Sequence, residues 1–121
     1  MIGDTFEDLQ SKISDMINDV PDLVEKALFD EATVIFNMSQ ELVPVDTGRL
    51  RGSGRVTIER VPTGFSATIT YSTDYAIYVH EDLTKSHRFP TQAKFLEQPA
   101  RERLPNLMEN IVRRVEKVMS E

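Results

Sequence analysis

The 121-residue chain contains no cysteine. That removes disulfide frameworks, thiolate zinc sites, iron–sulfur clusters, CxxC redox centres and cysteine nucleophiles together. It also lacks a long apolar run: no stretch approaches the roughly 20 residues that a membrane-spanning helix needs, so no span is expected. The opening Met1-Ile2-Gly3-Asp4 is neither basic nor followed by an apolar stretch, and does not read as a secretory signal. Positive charge is scarce, with 14 Lys and Arg against 20 Asp and Glu, a net charge of −6 and a pI near 4.9. Such a chain does not bind nucleic acid over its whole surface, because phosphate affinity comes from Lys and Arg. Internal repeats and low-complexity segments are missing. So are GxxxxGKS, GxGxxG, GxSxG and HExxH, which leaves nucleotide binding, serine hydrolysis and zinc proteolysis without a motif.

What is present is enough for one compact domain over residues 1–121: 40% hydrophobic and 28% charged residues, able to bury about two-thirds of the unfolded surface without a staple. The charge is divided unevenly. Residues 1–46 hold eleven acids and two bases, a net −9, which leaves +3 for the rest. Much of that excess is Arg49, Arg51, Arg55 and Arg60, opposed only by Glu59. Two readings are open: acids and arginines on separate solvated faces, or an acidic end and a basic part that associate head to tail between copies.

From Thr5 to Val20, Phe6, Leu9, Ile13, Met16, Ile17 and Val20 recur every three or four residues, which predicts a one-sided helix capped by Asp4 or Thr5. Pro21 interrupts it, with Asp19 placed to cap a second helix that runs to about Leu42 and buries Val24, Ala27, Leu28, Ile35, Met38 and Leu42. Pro44 ends that acidic helical region, 1–42. The period then changes to two in Arg55–Val61 and again in Phe65–Tyr71, across the turn residues Pro62-Thr63-Gly64, which predicts a hairpin over 54–71 covered on its Phe65, Ala67, Ile69, Tyr71 face.

The segment 75–81, Tyr-Ala-Ile-Tyr-Val-His-Glu, fits a third strand by alternation and a short helix by the shared face of Tyr75, Tyr78 and Val79 behind Asp74; we read it as a short helix. Residues 82–91 have no period and read as a contact-making surface loop. From Gln92 the helical period returns through Phe95, Leu96, Leu104, Leu107, Met108, Ile111, Val112, Val115 and Val118, with Pro99 and Pro105 implying a kink or late start. The expected fold is α+β: an N-terminal helix or kinked helix pair, a small antiparallel β-sheet, and a long C-terminal helix over 92–121 packed on the sheet.

Candidate chemistry is thin. His80, Glu81, Asp82 and His87 are close in sequence, but a seven-residue spacing does not preset a metal geometry, and no metal or cofactor is expected. Asp46-Thr47-Gly48 superficially resembles the aspartic protease triplet, yet it occurs once and beside arginines, which lower a carboxyl pKa. It reads better as a turn, with the Asp46 carboxylate on backbone N–H groups and Gly48 supplying backbone freedom. No catalytic residue is expected. The four arginines can meet phosphate, salt-bridge partners or another subunit.

Three segments taken together are familiar: Leu42-Val43-Pro44-Val45-Asp46-Thr47-Gly48-Arg49-Leu50-Arg51-Gly52-Ser53, then Tyr75-Ala76-Ile77-Tyr78-Val79-His80-Glu81, then His87 followed by Gln92-Ala93-Lys94-Phe95-Leu96-Glu97-Gln98-Pro99-Ala100. In that order and spacing they resemble the small neck proteins of tailed bacteriophages and prophages, also called tail-component, tail-completion or minor capsid proteins. The likeness spans roughly residues 30–119. It departs from the family where Glu81 is followed by Asp82-Leu83-Thr84 instead of Phe-Gly-Thr.

The resemblance implies a structural subunit of a homo-oligomeric connector ring, a hexamer or dodecamer in the virion neck. Its implied neighbours are the connector, head-closure and tail-completion or tail-tube proteins, with genomic double-stranded DNA passing through the lumen unread. Neither catalysis, a cofactor nor a membrane is implied. With it, the expected subunit-interface residues are Asp46, Arg49, Arg51, Arg55, Arg60 and Tyr78, and the expected inter-ring loop carries Lys85, His87, Arg88 and Phe89. A nucleic-acid-binding or regulatory module that uses the hairpin arginines is the alternative.

Overall fold

The computed structural model describes residues 5–43, 48–62, 64–72, 75–82, 87–88 and 94–121, with 75–82 and 87–88 described as backbone. It is α+β. Helix α1 (Phe6–Asp19) opens with a full capping box: Thr5 Oγ1 accepts from the Asp8 N–H, and the Asp8 carboxylate accepts from the Thr5 N–H. Helix α2 (Pro21–Leu42) follows after a single residue. Val20, not Asp19, occupies its N-cap, and no side chain caps it. Pro21 at the first helical position needs no N–H partner and has φ preset for a helix, so the turn forms without the expected Asp19 cap. Val43 is extended, as the residue before a proline prefers, and α2 stops there.

A five-residue helix, α3 (Gly48–Gly52), leads into β1 (Gly54–Val61) and β2 (Gly64–Tyr71), the expected hairpin, paired one to one from Gly54↔Tyr71 to Val61↔Gly64. The sheet does not stop there. Residues Tyr75–Asp82 form a third strand, β3, antiparallel to β2 from Tyr71↔Tyr75 to Gly64↔Asp82, which corrects the short-helix reading of 75–81. The far edge of β2 offers a row of unpaired backbone groups, and an alternating segment three residues on satisfies them better than a one-turn helix could. The 82–91 loop is also corrected in part: Asp82 ends β3, and His87–Arg88 form a two-residue β4 opposite Val79 and Tyr78. The strand order is β1-β2-β3-β4. Ser72, at φ 53°, takes the left-handed conformation in the β2–β3 turn and gives its N–H to Ser53 Oγ.

The C-terminal helical region breaks at only one of its two prolines, Pro105, and runs on through Pro99. Helix α4 (Lys94–Arg103) contains the buried Pro99, a 3₁₀ turn (Leu104–Asn106) contains Pro105, and α5 (Leu107–Met119) follows.

Helix α2 is the hub: it packs on β1 and β2, on α4 and α5, and on α1. The C-terminal region reaches the sheet through α4, whose Phe95 ring meets Tyr71 edge-on at 5.1 Å, while Phe36 of α2 stacks on the same ring at 5.8 Å. The core draws Ile13 from α1, Val24, Leu28 and Ile35 from α2, Phe65, Ala67, Ile69 and Tyr71 from β2, and Leu96, Leu107, Ile111 and Val115 from the C-terminal helices. Two residues expected inside are exposed, Leu42 at 44% and Val118 at 47%. Both stand in the last turn of their helices. Met38 is only half-buried, and Ser39 is the buried residue next to it.

Candidate functional site

The motif segment that follows α2 is pinned to the core by one amide. Gln40 Nε2 donates to the Arg51 carbonyl (3.0 Å) and to the Tyr71 hydroxyl (2.9 Å), while its Oε1 accepts from Arg51 Nε (3.2 Å). Ser39 Oγ gives its proton to the Phe36 carbonyl, so the 2.6 Å contact between Ser39 and Tyr71 has the phenol as donor. Tyr71 therefore donates to Ser39 and accepts from Gln40. Burial raises its pKa above the ordinary phenol value, against the opposing pull of the Gln40 donor and the Arg51 charge.

Ser53 closes the segment by donating to the Leu50 carbonyl and accepting from Ser72. Gly54 has to be glycine, because a Cβ there would lie 2.6 Å from Phe36 Cε1 and 2.8 Å from Gln40 Nε2, an atom already held by two bonds.

Arg49 and Arg51 on α3 and Arg55 on β1 are all exposed, with Arg51 Nε held against Gln40. Among the described residues none of the three has a carboxylate partner. Arg60 differs. Its guanidinium meets Asp22 at 2.8 Å and Glu25 at 3.4 Å, and lies over the Phe65 ring at 5.5 Å, so it ties the hairpin to α2. A cleft of about 440 Å³ lies beside it, between Ser14, Ile17 and Asn18 of α1 and Val61, Pro62, Gly64 and Phe65 of the hairpin. Arg60 is already matched by two acids, so the cleft offers no uncompensated charge to an anion.

Of the expected inter-ring loop, His87 and Arg88 lie in β4, while Lys85 and Phe89 are outside the described residues, as is Asp46. Tyr78 stands in β3 opposite Thr68 and Arg88. His87 is paired with Val79, not with His80. Among the described residues no three His, Asp or Glu gather as a metal site, and no helix is long and apolar enough to cross a membrane.

One cluster was not foreseen. Glu31 of α2 is buried at 1% exposure, with Oε1 accepting from Asn110 (3.0 Å) and Arg103 (3.3 Å) and Oε2 from Arg114 (2.6 Å). Arg114 also reaches Asp30 at 3.8 Å. The signal was in the sequence: Glu31 falls four residues after Ala27 and four before Ile35, on the apolar stripe of α2, where a lone acid demands cationic partners.

The acids of the N-terminal region stay outside: Glu7, Asp8, Asp15, Asp19, Asp22 and Glu41 are exposed. The described surface thus carries an acidic region on α1 and α2 and a basic ledge on α3 and β1. No family model, no curated protein and no solved structure matches the chain.

Proposed function

We propose that the chain is a structural subunit of a bacteriophage neck, one copy of a head-to-tail connector ring that forms part of the DNA conduit. The observation that carries this reading is the construction of the motif segment. The segment that resembles neck proteins, from Gly48 to Ser53, is clamped to α2 through Gln40 and leaves Arg49 and Arg51 exposed. A ring closes through two different surfaces on each copy, and the arginine ledge and the acidic α1–α2 surface supply a complementary pair. The remaining acids, turned to the lumen or to a neighbouring ring, would repel phosphate and let the duplex slide. Connector, head-closure and tail-completion or tail-tube proteins are the neighbours this reading requires, and the virion neck its location.

Arg49→Glu, which leaves the Arg51–Gln40 contact of the clamp intact, tests it in the phage or prophage that encodes the chain. The folded subunit should persist while its ring is lost and full heads accumulate without tails in electron micrographs. Normal tailed particles from that variant, or a virion without this chain, would end the reading. The exposure of Arg49, Arg51 and Arg55 favours a second reading, a phosphate-binding module, which predicts salt-dependent retention on DNA.

A further inference from the structure

The sheet ends in an open edge on the β1 side. β1 is eight residues long, is paired with β2 without a bulge, contains no proline, and among the described residues has no strand on its other side. Proteins usually shorten, bulge or cover such an edge, because its free N–H and C=O groups recruit another strand. From Gly54 to Glu59 its side chains alternate. Arg55, Thr57 and Glu59 are exposed on one face, and Val56 and Ile58 are half-buried on the other.

Within the chain, Arg55 stands opposite Thr70 and Glu59 opposite Ser66. Among the described residues neither charge has an ion-pair partner. They are opposite in sign and equally spaced about Thr57.

From this we propose that β1 pairs antiparallel with β1 of a second copy, about a twofold axis through Thr57. In that register Arg55 faces Glu59 of the second copy, Thr57 faces Thr57, and Val56 faces Ile58, so each charge left over in the monomer finds its opposite and each apolar residue an apolar one. A one-residue slip breaks both sets. The helices permit it. The α2 stripe Asp22, Glu25, Phe29, Phe36, Gln40 runs along β1, touching Arg60 at one end and the Gly54 site at the other. Because α2 rests on β1 and β2 together, the axis brings the two α2 helices about 10 Å apart, an ordinary helix-packing distance. It also sets Phe29, 38% exposed in mid-stripe, beside Phe29 of the second copy.

This contact is closed by its own axis and cannot propagate around a ring, so it is a state of free subunits, separate from the ring reading.

Light scattering on the eluting full chain tests it. The wild type should elute as a dimer, and Arg55→Glu or Glu59→Arg alone should weaken association about tenfold or more, since each turns two attractive pairs repulsive. The double exchange Arg55→Glu/Glu59→Arg should restore the dimer. A second measurement uses the absence of native cysteine: Thr57→Cys should form a disulfide-linked dimer on oxidation, and Arg55→Cys, about 14 Å from its own copy along the ladder, should not. A monomeric wild type at every concentration, a double exchange no better than the singles, or equal cross-linking of the two cysteine variants would overturn the proposal.

Discussion

Tyr71 and Glu31 show how two buried polar side chains hold the same helix in different ways. The Tyr71 phenol is fully buried between Phe36 and Phe95 and is bonded to Ser39 and Gln40. Its folded pKa is raised, so folding favours the protonated form. That stabilisation is complete below the unfolded phenol value of about 10 and is lost as pH rises through it toward the folded pKa. Thermal melts should show a loss of stability above about pH 10 that Tyr71→Phe reduces, although at neutral pH the same substitution destabilises by about 1 kcal/mol through two lost hydrogen bonds. Glu31 is a different case, a buried acid shared by two arginines and an amide. Glu31→Gln leaves Arg103 and Arg114 facing a neutral group, but their side chains are 36% and 37% exposed and regain some hydration. The expected penalty is therefore about 2–3 kcal/mol in urea unfolding, below the full value for a wholly buried pair.

At the level of elements, the helices were legible because each carries its own signals. Thr5 and Asp8 announce the start of α1, and Thr5→Ala, which removes one half of the capping box, should cost about 1 kcal/mol, roughly 3–5 °C in melting temperature, with faster amide exchange confined to the first turn. Pro105 announced the break between α4 and α5 in the same local way. Strand β3 was not legible, since Tyr75–Glu81 satisfies both periods and only the open edge of β2, a nonlocal partner, decides between them. Asp19 failed as a cap for a related reason: the turn geometry at Val20 and Pro21 made the cap unnecessary. The candidate site divides likewise. Pro44 marked where α2 stops, but Gly48, read as a turn residue, lies in the short helix α3, and the Gln40 clamp was not readable either, because it joins residues eleven and thirty-one apart that no periodicity relates.

The whole molecule is set by how its charge is divided, and the division makes the two functional readings separable. A net charge of −6 opposes DNA at long range, yet Arg49, Arg51 and Arg55 form an exposed local patch. Arg60 is withdrawn from it by Asp22 and Glu25. A phosphate-binding module could thus use about three cations, which corresponds to a slope of about −2.7 in log K against log salt and a loss of about 40-fold between 50 and 200 mM. A conduit subunit should show neither the affinity nor the slope: the acids of α1 and α2 outnumber the ledge, and a protein that lets DNA pass gains nothing by holding it. Fluorescence anisotropy with a labelled duplex should accordingly show no binding by the full chain at about 0.15 M salt, where the Debye length of about 8 Å leaves the arginine patch only local reach. Binding with that slope, lost on Arg49→Glu, would move the ledge from a subunit contact to a phosphate contact and the chain with it.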